Sequence, residues 1–228
     1  MHTNTGRGVD ALVRLLPLSG VAFAVLSMAG NLTIDKFPEP DTSISKLSTY
    51  YADHHAQLGR GGTLLGYSVV FIALFGVTLW SRAQLLRAPA VIRGALLVGT
   101  AMVAGTMITE AEAFQTLGQI GGKSTVTPPA LQAWHINASA GGFGADFVVL
   151  LLAVAAAGIL VRAFPRWLAW VALALAILMF TPLGFFAYLL FHLWAIAAGM
   201  TLTLRPVRTE PSTGLAAPEI GARLAYEG

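Results

Sequence analysis

The chain contains no cysteine. That absence removes disulfides, thiolate nucleophiles, iron–sulfur clusters and Cys-ligated zinc together. Charge is also scarce: 11% of the 228 residues are Asp, Glu, Lys or Arg, where soluble domains carry about 25%. With 56% hydrophobic residues and a mean hydropathy of +0.70, too little polar surface remains to wrap a water-soluble globule. Disorder needs the opposite composition. The balance is basic, +3 with a pI near 9.5, but the charges are scattered in ones and twos between apolar runs. No basic stripe exists to track phosphates, so nucleic acid is not an expected partner. What the chain does have is long apolar stretches, and these point to a small all-α polytopic membrane protein.

A helix crossing about 30 Å of hydrocarbon needs roughly 20 apolar residues. Six stretches qualify as expected spans: 15–34, 62–80, 91–112, 134–161, 167–180 and 184–204. The last two come from one run between Arg166 and Arg205 that holds 38 residues without Lys, Arg, Asp or Glu. At 1.5 Å per residue that run is about 57 Å long, too long for one crossing. Thr181-Pro182-Leu183-Gly184 is the expected turn. In the connecting segments ten Arg (7, 14, 82, 87, 93, 162, 166, 205, 208 and 223) face Lys36, Lys46, Arg60 and Lys123 on the other side. This asymmetry predicts both termini in the cytoplasm. A cleavable signal peptide is the alternative for the first stretch, with Ser27 and Ala29 resembling a cleavage site. Asp10 and the length of the apolar run argue for retention.

Two outer loops are long. The first opens with Lys36-Phe37-Pro38-Glu39-Pro40 and then predicts an amphipathic helix over 42–58, N-capped by Asp41. Its apolar face is Ile44, Leu47, Tyr51 and Leu58, and it is expected on the outer surface of the bundle or in the lipid interface. The second, 114–133, is rich in Gly, Thr and Pro and has the composition of a lid. Residues 1–208 form one transmembrane domain in this reading. The polar, aperiodic tail 209–228 is expected to be disordered.

Three motifs carry a resemblance. Pro17-Leu18-Ser19-Gly20 opens the first span, Tyr50-Tyr51-Ala52-Asp53-His54 closes an acidic outer segment, and Phe164-Pro165-Arg166-Trp167-Leu168-Ala169-Trp170 precedes the fifth span. Together these resemble the uncharacterised small six-span integral membrane proteins of actinobacteria, over roughly 13–205. The resemblance implies the architecture and a bacterial cell membrane, and no chemistry. Eleven Arg against three Lys also suits a high-GC bacterium.

Ionisable side chains inside a span are costly and are functional candidates by default. Asp146, counted from the polar start of span four at Asn137, is expected about 13 Å deep, and His192, counted from Gly184, about 12 Å deep. Matched depths predict that the two meet across the bundle. Helical spacing puts His135, Ser139, Gly142 and Asp146 on one stripe. Tyr188 and His192 form one i,i+4 pair, and Thr106 and Glu110 another, while Asn31 and Tyr67 add polar groups. The expected arrangement is an outward-opening cavity with Asp146 and His192 at its floor and Glu110 and His135 near its mouth. Each element also has a structural alternative. The run 139–145 is small enough to pack helices closely, His192 can hydrogen-bond a carbonyl, and Glu112 sits at the water boundary. His54 and His55 read as exposed, and Trp80, Trp134, Trp167 and Trp170 as interface anchors.

No metal is expected, since the spacings match no compact His/carboxylate motif and HExxH is absent. A serine hydrolase is not expected either: Gly-x-Ser-x-Gly is missing and Ser139 has no base at fixed spacing. Haem would need His135 and His192 at one depth. Three functions remain. The first is a cofactor-independent acid–base enzyme, an isomerase or cyclase acting on a lipophilic terpenoid or polyketide. It would use Asp146 as acid, His192 as base, Glu110 as second carboxylate and Tyr188 to orient, with His135, Ser139, Thr106, Tyr67 and Asn31 lining the substrate. The second is a non-catalytic membrane subunit or stress protein, and the third a proton-coupled carrier. Membrane lipid and a lipophilic small molecule are the expected partners, and a homo-oligomer is left open.

Overall fold

A computed structural model describes residues 14–34, 37–121, 123, 126–139 and 145–205. The expected tail 209–228 and the stripe residue Gly142 lie outside the described residues. Within them the chain is all α, with seven α-helices and no strand. A short 3-10 turn, Leu16–Leu18, leads into α1 (Ser19–Thr33). Then come α2 (Ile44–Leu85), α3 (Ala90–Ile120), α4 (Pro128–Ser139), α5 (Ala145–Leu160), α6 (Arg166–Leu178) and α7 (Gly184–Leu204).

Six of the helices close a ring in the order α1, α2, α3, α5, α6, α7 and back to α1, while α4 leans on α3 and α2. Phe23, Phe75, Phe147, Phe191, Trp194 and a lining of Leu, Val and Ala fill the middle of the ring. A second, smaller cluster of Leu47, Tyr51, Leu58, Leu65, Phe114, Leu117 and Leu131 holds the far ends of α2 and α3 against α4. The ring's outside is apolar too: Leu32 is 82% exposed, Val91 77% and Phe180 76%. An exposed apolar surface of this extent fits lipid rather than water.

Among the described residues four helices are long and apolar enough to cross a membrane: Leu16–Thr33, α2, α3 and α7. The apolar helices α5 and α6 have 16 and 13 residues. They rise about 24 and 20 Å, short of the hydrocarbon thickness.

The structure corrects two sequence expectations. The amphipathic helix over 42–58 is not a separate surface element, because α2 runs unbroken for 42 residues, about 63 Å. Its Leu47, Tyr51 and Leu58 face is buried against α3 and α4 rather than lipid, and Ile44 is exposed. The expected lid over 114–133 is largely helical, since α3 continues to Ile120 and α4 starts at Pro128. Of the expected fourth span, 134–161, residues 134–139 belong to α4 and 145–160 to α5, and 140–144 lie outside the described residues.

The long antiparallel pair of α2 and α3 depends on small residues at its seam. A Cβ on Gly118 would lie 2.6 Å from the Gly59 nitrogen and 2.8 Å from the His55 carbonyl oxygen, both backbone atoms that cannot yield. A Cβ on Gly59 would meet nothing. Gly118→Ala is therefore expected to destabilise by about 1–3 kcal/mol through overpacking. Gly59→Ala should be neutral or stabilising, since Ala is the better helix former by about 1 kcal/mol. Thermal unfolding of the two variants in detergent tests the seam, and equal midpoints would contradict it.

Candidate functional site

The antiparallel helices α1 and α7 approach until a Cβ on Gly199 would lie 2.7 Å from the Pro17 carbonyl oxygen. In that register two i,i+4 pairs face each other, Ser27 and Asn31 on α1 against His192 and Tyr188 on α7. Ser27 Oγ lies 3.0 Å from His192 Nε2, and His192 Nδ1 lies 2.9 Å from the Tyr188 carbonyl oxygen. The Asn31 amide Nδ2 donates to the Tyr188 hydroxyl at 3.2 Å and to the Ser27 carbonyl at 3.1 Å. Phe23 stacks on the imidazole at 5.5 Å and Tyr188 meets it edge-on at 4.7 Å. Ser27 is fully buried and His192 1% exposed, whereas Asn31 and Glu110 are half-buried.

These contacts assign the hydrogens. A carbonyl only accepts, so His192 Nδ1 carries the hydrogen. In the neutral ring Nε2 is then the acceptor, and Ser27 donates to it. Met107 Sδ, 4.0 Å from Ser27 Oγ, is a weak acceptor by comparison. A hydroxyl donating to an imidazole that a third group orients is the arrangement of an activated nucleophile or a proton relay. The sequence pattern points to Ser139, not Ser27, as the serine to weigh for such a role. The signal that would have found Ser27 is its i,i+4 spacing from Asn31, the counterpart of the Tyr188 and His192 spacing.

Asp146 does not join His192. Asp146 stands in the first turn of α5, where a carboxylate complements the helix dipole. It accepts a hydrogen bond from Thr106 Oγ1. Asp146 and the Ser27–His192 pair reach the same level of α3, at Thr106 and Met107, but on different faces. Successive helical residues point about 100° apart: Asp146 turns to α3, while Phe147 points at α7 and packs on Tyr188 and Phe191 at 5.5 and 4.9 Å. Tyr67 is 62% exposed and lines no interior site.

His135 belongs to a different cluster, at the outer ends of α2 and α3, and is fully buried. Its Nε2 lies 2.9 Å from the Glu39 carbonyl oxygen, so Nε2 carries the hydrogen there, and its Nδ1 takes a hydrogen bond from the Tyr51 hydroxyl at 2.7 Å. Phe37 covers the ring at 5.2 Å. The imidazole thus ties the segment after α1 to α2 and α4. Ser139 bonds only within α4, to the His135 carbonyl oxygen at 2.6 Å. No group of three His, Asp or Glu side chains converges among the described residues. A recess lined by Ser45, Lys46, Thr49, Tyr50 and Asp53 lies open on the outer turns of α2, in the smaller cluster's half of the molecule.

No protein-family model, curated protein or solved structure matches the chain.

Burial, with the neighbouring Tyr50 adding to it, pushes the Tyr51 phenol above its ordinary value of 10.0. The folded state therefore holds this proton after the unfolded chain has released it, and the stability it contributes is lost as pH rises above about 10. Tyr51→Phe is expected to lower stability at neutral pH by about 1–3 kcal/mol, because His135 Nδ1 loses its donor while buried. The same variant should show a shallower alkaline decline than the parent. Denaturation midpoints measured from pH 7 to 11 test both, and parallel curves would refute the Tyr51–His135 bond as described.

Proposed function

We propose that the protein is an integral membrane protein of six crossings, both termini cytoplasmic, whose interior hydrogen-bond chain performs acid–base chemistry on a lipophilic small molecule. Support for six crossings comes from α5 and α6 completing the same ring as the four longer helices, with Leu152, Leu160 and Ile177 exposed on their outer faces. Support for the orientation comes from the loop arginines, which the positive-inside rule assigns to the cytoplasm.

One observation carries the chemistry: the Ser27 hydroxyl donates to His192 Nε2 while the Tyr188 carbonyl fixes the opposite ring nitrogen. His192 is then the base. It takes a proton from the substrate through the Ser27 hydroxyl, which gives its own hydrogen to Nε2 and receives the substrate's. Glu110, one turn along α3 from Met107, is the acid that returns a proton at a second substrate atom, and transfer of the proton held by His192 to Glu110 then resets both groups. The sum is an isomerisation or cyclisation with no net redox change. Asp146, engaged by Thr106, is not in this chain.

A second reading rests on the closure of the cluster. Ser27 and His192 are sealed from solvent, and buried polar pairs of this kind also tether helices in a non-catalytic subunit.

The test uses the lipophilic compound that co-purifies with the full-length protein, identified by mass spectrometry and incubated with it in D2O. The parent protein is expected to place deuterium at the reacting carbon. Ser27→Ala and His192→Gln should slow that exchange at least 100-fold, the lower range of acid–base contributions, in protein that still folds after losing about 1–3 kcal/mol with the buried hydrogen bond. Unchanged exchange in variants with lowered midpoints would instead establish the tethering role.

A further inference from the structure

The two ends of the bundle differ in charge and in backbone. At the end where α2, α5 and α7 finish, Arg82 donates from Nε to the Ala163 carbonyl at 3.0 Å and from Nη1 to the Arg205 carbonyl at 2.8 Å. One guanidinium thereby gathers three connections. Arg87, Arg93, Arg162, Arg166 and Arg205 belong to the same end of the bundle. The described carboxylates (Glu39, Asp41, Asp53, Glu110, Glu112 and Asp146) all belong to the opposite half. Among the described residues no carboxylate therefore balances these arginines.

A charge bias alone requires only that cations lie on one side. Two further features exceed that requirement. Arg87 and Arg162 both adopt left-handed backbone, with φ of 56° and 58°, a conformation that glycine adopts freely and other residues only with strain. Both follow the last turn of a helix. At Arg87 the backbone bonds from Arg87 to Gln84 and from Ala88 to Ala83 close a turn in which glycine is the usual residue. In addition, the Arg93 Nε is buried with no hydrogen-bond acceptor, and a guanidinium nitrogen left so is an incomplete pair.

We infer that this end of the bundle binds the phosphate headgroup of an anionic phospholipid. The lipid, rather than a free anion, is the ligand because the arginines ring the end of an apolar bundle, where acyl chains would lie along the exposed helix faces and the headgroup would meet the guanidinium forks. The inference rests on the membrane reading proposed above.

The experiment uses the full-length protein in nonionic detergent, offered short-chain phosphatidylglycerol or phosphatidylcholine, with retained lipid counted by native mass spectrometry. Phosphatidylglycerol is expected to be retained at least 10-fold better. Millimolar inorganic phosphate should not displace it. The double variant Arg87→Gly, Arg162→Gly removes two cations while supplying the residue that the left-handed positions favour. It should lose the preference with a thermal midpoint equal to or above the parent's. Arg93→Gln, which leaves those backbone positions untouched, should weaken retention as well. Equal retention of the two lipids, an unchanged preference in both variants, or displacement by inorganic phosphate would each overturn the lipid site. A carbonate wash of the host membranes separates this failure from that of its premise. Protein that stays in the membrane yet ignores headgroup charge sinks the lipid site alone, and protein that washes off sinks the membrane reading with it.

Discussion

Inside an apolar bundle a polar side chain needs a partner on a facing helix, because no water competes to satisfy it and leaving it bare costs several kcal/mol. The antiparallel contact of α1 and α7 meets that demand at the centre of this molecule. Ser27 finds His192, Asn31 finds Tyr188, and the imidazole is held at both nitrogens. The aromatic packing around the pair follows from the same contact. Phe23 reaches the imidazole from α1, and Phe191, one residue before it on α7, meets Phe147 from across the ring.

The same physics operates at the outer end on different material. There Tyr51 and His135 form a second buried hydroxyl–imidazole pair, with the opposite tautomer, because it is Nε2 that faces a carbonyl oxygen. This pair holds the extension of α2 and α3 together with α4 and the segment around Phe37 and Glu39. The two pairs share a chemistry and differ in setting. The first joins α1 to α7 within the ring, and the second fastens α4 to the far ends of α2 and α3. The polar residues thus fall into two separate centres rather than lining one cavity.

At the opposite end arginine takes the place of aromatic and histidine contacts. Arg82 ties the α5–α6 connection to the end of α7 through carbonyl oxygens. The helix C-termini there carry partial negative charge that cations complement. The bundle therefore has one end organised by neutral hydrogen bonds and another by guanidinium groups.

The membrane class, the helical content and several helix ends were legible in the amino-acid pattern. Hydropathy integrates over about 20 residues, and glycine, proline and charge act locally. Gly184–Leu204 and the turn at Thr181-Pro182 are of this kind, as is the apolar spacing of Leu47, Tyr51 and Leu58. Which helix faces meet was not legible. The register of α1 on α7 and the rotation of α5 depend on packing between residues 40 to 165 positions apart. Thus Asp146 and His192 come level with each other yet turn to different neighbours, and Ser27, unremarkable along the chain, becomes the partner of the buried imidazole. Composition decided where the chain resides. Only the three-dimensional packing decided which polar groups touch, because hydrogen bonding acts over about 3 Å and a helix turn of 100° per residue sends adjacent side chains to different partners.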